Sequence, residues 1–145
     1  MCEKSNKKVV RSAVKNALNR LRQDGFSALK LPERQFLAVF LMHEEIRNGG
    51  IFQWFTNPYS DYAAAALDFL RNSGDEERLD VLTKASALFP AGKIPPTTKE
   101  RHACVASWTD GKIQSLESLD EQYYKCCSNI YEGMALFASK GCLKE

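Results

Sequence analysis

The stretch EEIRNGGIFQWFTN, residues 44–57, places two acids, a paired glycine and a run of aromatics in fourteen positions. Gly49 is expected in the left-handed conformation that ends one helix, and Gly50 as the amino-terminal cap of the next. Gln53, three residues on, is placed to reach back as in a capping box. A short aromatic helix from Ile51 to Thr56 then stops at Asn57-Pro58, because the residue before a proline avoids the helical region. Phe52, Trp54, Phe55, Tyr59 and Tyr62 read as core rather than as a base-stacking platform, with Trp54 the one expected to reach solvent.

Outward from this corner, helical periodicity continues. Val10, Val14, Ala17, Leu18 and Leu21 form one apolar stripe on a basic helix. Asp24-Gly25 ends it, with Phe26 folding back onto its last turn. Leu31-Pro32-Glu33 opens a second helix, with the proline in the first turn, and Phe36, Leu37, Phe40 and Leu41 form its buried face as far as Asn48. After the corner, Ser60 or Asp61 caps an alanine-rich helix closed by Gly74. Asp75-Glu76-Glu77 opens another, where negative charge favours an amino terminus, and Leu79, Leu82, Ala85 and Phe89 give its apolar face. Residues 90–100 hold three prolines and read as a loop. A helix then starts near Thr98, Asp110-Gly111 makes a turn, and the residues from Leu116 to Phe137 trace one long final helix ended by Gly141. No strand-like alternation and no repeat occurs. The fold class is therefore all-α, a compact unit of six to seven helices, and 145 residues suffice for one domain with its own core.

Composition removes several functions. No apolar run approaches the roughly 20 residues of a membrane span, and the charged amino terminus has no secretory pattern. Five cysteines, Cys2, Cys104, Cys126, Cys127 and Cys142, form no C-x-x-C. Adjacent positions on a helix diverge by about 100°, so Cys126 and Cys127 are poorly placed to share a ligand. Reduced thiols in a cytoplasm follow. The net charge of +2 hides an asymmetry: residues 1–34 carry nine Lys/Arg against three acids, and residues 35–90 eight acids against four Lys/Arg.

Candidate chemistry is sparse. His43-Glu44-Glu45 lacks the second histidine of a zinc-protease helix, since position 47 is Arg47. His102 and Cys104 make only a pair, short of the four ligands of structural zinc. Asn48-Gly49-Gly50 follows a helix and precedes no lysine, unlike a phosphate loop. Glu45 reads as a carboxylate holding corner amides. No catalytic, cofactor or metal residue is assigned.

The span Glu45-Ile-Arg-Asn-Gly-Gly-Ile-Phe-Gln-Trp-Phe-Thr-Asn57 resembles the Glu-x-x-Asn-Gly-Gly-x-x-Gln-(aromatic)-(aromatic)-x-Asn signature of a bacterial all-helical family named for a DNA-mimic protein. The likeness continues through LTKASALFP and LESLDEQYY…IYEGMALF, over roughly residues 30–140, with the basic helix of residues 1–25 ahead of it. The resemblance implies a helical fold and a non-enzymatic role that occupies a DNA-binding regulator. Its signature residues here are Glu45, Asn48, Gly49, Gly50, Gln53 and Asn57, which read as architectural. An acidic partner surface would draw on Glu44, Asp61, Asp68, Asp75, Glu76, Glu77 and Asp80. The alternatives are nucleic-acid binding through the basic first helix and an immunity or antitoxin-like protein.

Overall fold

The computed structural model describes residues 3–140. Among them seven α-helices form with no strand: α1 (Glu3–Asp24), α2 (Leu31–Thr56), α3 (Ala63–Ser73), α4 (Glu76–Ser86), α5 (Thr98–Ala106), α6 (Asp110–Tyr124) and α7 (Ile130–Ser139). Short 3-10 turns at Phe26–Ala28, Pro58–Tyr62 and Pro90–Gly92 join them. The all-α expectation holds, but one helix boundary differs. The two helices expected around Gly49-Gly50 are present as the two arms of α2, separated by a kink at which both glycines leave helical conformation. The single long final helix is two, α6 and α7, separated at residues 125–129.

That second break has a local cause. The side chain of Asn129 accepts hydrogen bonds from Tyr131 N at 2.9 Å and Glu132 N at 3.3 Å, starting a new helix where the apolar spacing alone continues the old one. The expected end at Gly141 lies outside the described residues. Asp110-Gly111 is the first turn of α6 rather than a turn between helices, because Thr109 caps it by accepting from Lys112 N. Neither Ser60 nor Asp61 caps α3. Ser60 is buried and its Oγ bonds the carbonyls of Asn57 and Phe55, and Asp61 is held by Arg101. The ring of Phe26 stacks on Tyr62 with centroids 3.7 Å apart, and the turn it opens lies against α1. Gly74 closes α3 in the left-handed conformation (φ 76°), as expected, and Pro32 sits in the first turn of α2.

The core centres on α2, which buries Phe36, Leu37, Met42, Ile46, Ile51, Trp54 and Phe55. Burial of each such side chain contributes about 1.5–3 kcal/mol. Partners surround α2 because its apolar residues occupy most of its circumference. α1 runs antiparallel to the first arm of α2. Arg20, late in α1, forms a bidentate ion pair with Glu33, early in α2. Lys7, early in α1, lies over the ring of Tyr131, whose hydroxyl meets Glu44 and Arg47 further along α2. α7 covers α1, α3 covers α2, and α6 packs against both α2 and α4. Phe40, expected in the buried face, is only partly covered.

Candidate functional site

Both glycines leave helical conformation at the kink in α2, but the positive φ falls at Gly50 rather than Gly49. Gly50 has φ 80° and ψ 179°, a conformation essentially reserved for glycine, whereas Gly49 has φ −152°. The expectation of a left-handed Gly49 is corrected accordingly. Gly49 is required for a different reason: a Cβ there would collide with the side chain of Gln53, coming within 2.9 Å of its Cβ and closer still to its carboxamide.

Gln53 is held in that position. Its Nε2 donates to Glu45 Oε2 at 2.8 Å, and Asn57 Nδ2 donates to the same oxygen at 2.7 Å. One carboxylate from the first arm thus receives two side-chain amides from the second, and the signature residues Glu45, Gln53 and Asn57 form a bracket across the kink. Gln53 reaches back as expected, but to a carboxylate instead of the backbone of a capping box. The sixth signature residue, Asn48, is exposed and its side chain makes no hydrogen bond among the described residues.

A second clamp comes from α6, within the LESLDEQYY stretch but outside the Glu45–Asn57 signature. Asp120 Oδ1 accepts from Ile51 N at 2.7 Å and so caps the second arm of α2 from another helix. One turn later, Tyr124 Oη donates to the carbonyl of Ile46 at 2.7 Å. Burial raises the pKa of Asp120 and neighbouring Glu117 adds to the rise, against the hydrogen bond from Ile51 N, which lowers it.

Beyond the clamp, Gly49, Phe52, Ile113, Leu116, Glu117 and Asp120 line an open cleft of about 310 Å³. Phe52, 41% exposed, forms one wall. It is the solvent-facing aromatic of the corner, whereas Trp54, expected to reach solvent, is fully buried with no acceptor for its indole N–H among the described residues. The alternation follows from the helix: residues 51, 54 and 55 share the inner face and residue 52 turns away.

Arg101 went unremarked in the sequence because an isolated arginine in a polar segment carries no pattern. It is completely buried. Its Nε donates to Phe55 O at 2.7 Å, Nη1 to Pro95 O at 2.9 Å, and Nη2 to Asp61 Oδ1 at 2.6 Å, with longer bonds to Asn57 O and Thr98 Oγ1. This guanidinium satisfies carbonyls left open at the end of α2, a role suited to a planar fork of five donors.

His43 and His102 are not brought to one ion, and no three His, Cys, Asp or Glu side chains converge on a cation-sized space among the described residues. His43 is buried, its Nδ1 2.7 Å from Tyr123 Oη and its ring edge-on to Tyr131. Burial, reinforced by Arg78, Arg47 and Lys7, lowers its pKa to about 3, so the imidazole is neutral. His102 is exposed, with Nε2 2.6 Å from Thr56 O. Cys126 and Cys127 lie in the break between α6 and α7, not on one helix, and both are free thiols, as is Cys104. Burial pushes the Cys126 thiol up, against the nearby Arg78.

Five of the seven candidate surface acids are tied to partners within the fold. Asp75 bonds buried Arg78 at 2.8 Å and Ser128 at 3.2 Å. Asp61 is tied to Arg101, Asp68 to Arg71 at 2.7 Å, and Asp80 to Lys84 at 2.9 Å. Glu44 accepts from Tyr131 Oη at 2.6 Å. Glu76 and Glu77 remain exposed without an ion pair among the described residues, Glu77 lying at the carboxyl end of α6 beside Cys127 N. The acids sequence reasoning passed over are on α6. Asp110, Glu117 and Glu121 are exposed and make no side-chain ion pair or hydrogen bond among the described residues. Their spacings of seven and four put them on one stripe, about 40° wide and about 16 Å long, flanking the cleft at Asp120.

An all-helical fold with a bracketed, clamped glycine kink defines the class of protein. A family model described as DMP19-like protein matches residues 27–140, and the chain belongs to that family. Neither a curated protein nor a solved structure matches it. The matched region begins after α1.

Proposed function

We propose that this is a non-enzymatic, cytoplasmic interaction protein that occupies the nucleic-acid-facing surface of a DNA-binding protein. The observation that carries the reading is the unpartnered acidic stripe of α6, Asp110, Glu117 and Glu121, beside the cleft walled by Phe52. Membership of a family named for a DNA mimic supports it. Glu117 and Glu121 stand one turn apart, about 6 Å along the axis. One DNA strand advances about 3.4 Å per phosphate, so the stripe places its carboxylates about three and about two phosphate intervals apart. A cationic side chain seated in the cleft would meet the face of Phe52 together with the carboxylates of Glu117 and Asp120. The clamp serves this surface by fixing α6 against the α2 corner, so that the carboxylates are held in place before a partner arrives.

The test is capture of partners from the cytoplasm of the native host on the immobilised full chain, followed by elution with duplex DNA. The expected result is a DNA-binding protein that duplex DNA displaces and that a Glu117→Lys/Glu121→Lys variant with an unchanged melting curve fails to retain. Capture that survives both the charge reversal and the DNA overturns the reading.

A further inference from the structure

The face of α1 that points away from the core has the opposite character. Lys4, Lys8, Arg11, Lys15 and Arg22 are the outward cations of this helix. At about 100° and 1.5 Å per residue they fall within about 60° of arc along about 27 Å of axis, a straight line of positive charge. Lys4, Lys8, Arg11, Lys15 and Arg22 are all exposed, and none makes an ion pair or hydrogen bond among the described residues. The two remaining cations of α1 are used internally, Arg20 on Glu33 and Lys7 over Tyr131. Beside the line runs a second, uncharged one: Ser12, Asn16, Asn19 and Gln23 are exposed at about 60–120° from the first cation. The acid that ends α1, Asp24, turns about 160° away from this line.

We infer that this face of α1 binds the sugar–phosphate backbone of double-stranded DNA, independently of the acidic surface on α6. Lysine and arginine supply the phosphate neutralisation, and serine, asparagine and glutamine are the neutral side chains that also bond phosphate oxygens. A membrane surface fits poorly, because an interfacial helix must insert its apolar face, and that of α1 is buried through Val10, Val14 and Ala17. The length of the line, about 27 Å without an acid on it, matches an extended polyanion, and an acidic protein is an outcome the test below separates. The surface lies outside residues 27–140, so family membership does not supply it.

The experiment is fluorescence anisotropy of a labelled duplex of about 24 base pairs with the full chain across a salt series. Five phosphate contacts give a slope of log affinity against log salt near −4.5, at about 0.9 per contact. The variant Lys8→Gln/Arg11→Gln/Lys15→Gln should bring the slope to about −1.8, with an unchanged melting curve because these side chains are exposed and make no ion pair or hydrogen bond among the described residues. Lys93→Gln/Lys99→Gln, which removes two exposed charges elsewhere, should leave it near the parent value. No anisotropy change at low salt overturns the inference, as does an equal loss of slope in the control variant. Binding to polyglutamate or to anionic phosphatidylserine vesicles as tight as to DNA overturns it too.

Discussion

Asp120 caps a helix to which it does not belong: its carboxylate accepts the amide of Ile51 at 2.7 Å, across 69 residues of chain. An ordinary amino-terminal cap comes from the residue just before the helix. Gly50 stands there and has no side chain to offer, so α6 supplies the oxygen. Replacing Asp120 with alanine should therefore cost about 1–2 kcal/mol, the range for loss of a cap at a buried amide. Asparagine, which keeps an acceptor oxygen, should recover most of it. Denaturant unfolding of the two variants checks this, and equal losses would remove the capping role.

The paired glycines should fail differently. Gly50→Ala meets a positive φ and a contact of 2.7 Å to Asp120 Oδ2, so a cost of about 1–3 kcal/mol is expected and should persist in an Asp120→Ala background. Gly49→Ala collides with Gln53 instead. Part of its cost should therefore disappear in a Gln53→Ala background, a coupling of about 0.5 kcal/mol or more in a double-mutant cycle. Additivity at Gly49 would contradict the contact.

Arg101 should be among the most sensitive positions. Arg101→Met leaves Asp61 without its cation and the carbonyls of Phe55 and Pro95 without donors, at an expected cost of about 3–5 kcal/mol. Lysine should not rescue it, since an ammonium cannot span three directions in one plane. Thermal melting of both variants tests the claim.

Stability should fall with acid in a window set by His43. The unfolded histidine titrates near 6.5 and the buried one near 3, so between these values the unfolded state binds more protons and stability rises with pH. The dependence is absent above about pH 7 and grows as pH falls from 6.5 towards 3. At pH 5 the loss is about 2 kcal/mol, at 1.36 kcal/mol per unit. His43→Gln should flatten this part of the profile, and an unchanged slope between pH 6.5 and 5 would show that another group carries it.

Legibility in the sequence tracked how local the cause was. Helix α1, the proline start of α2, the Gly74 stop and the corner at residues 49–50 were all readable, since each follows from a period or a punctuating residue within one turn. The two arms on either side of Gly49-Gly50 were readable as well, whereas Asn129 starts a helix that the apolar spacing does not announce. The candidate site was half legible. Glu45, Gln53 and Asn57 lie within thirteen residues and their bracket could be anticipated in kind. Asp120, Tyr124 and Arg101 could not, because each acts on backbone 46 to 78 residues distant.

Sequence by itself determined that the chain is helical, where α2 bends, and that charge is divided along it. Tertiary structure decided what holds the bend and which charges are left without an internal partner. The reason is that local conformational preference is encoded in neighbouring residues, whereas the satisfaction of a buried amide or carboxylate depends on whatever the fold brings within about 3 Å of it.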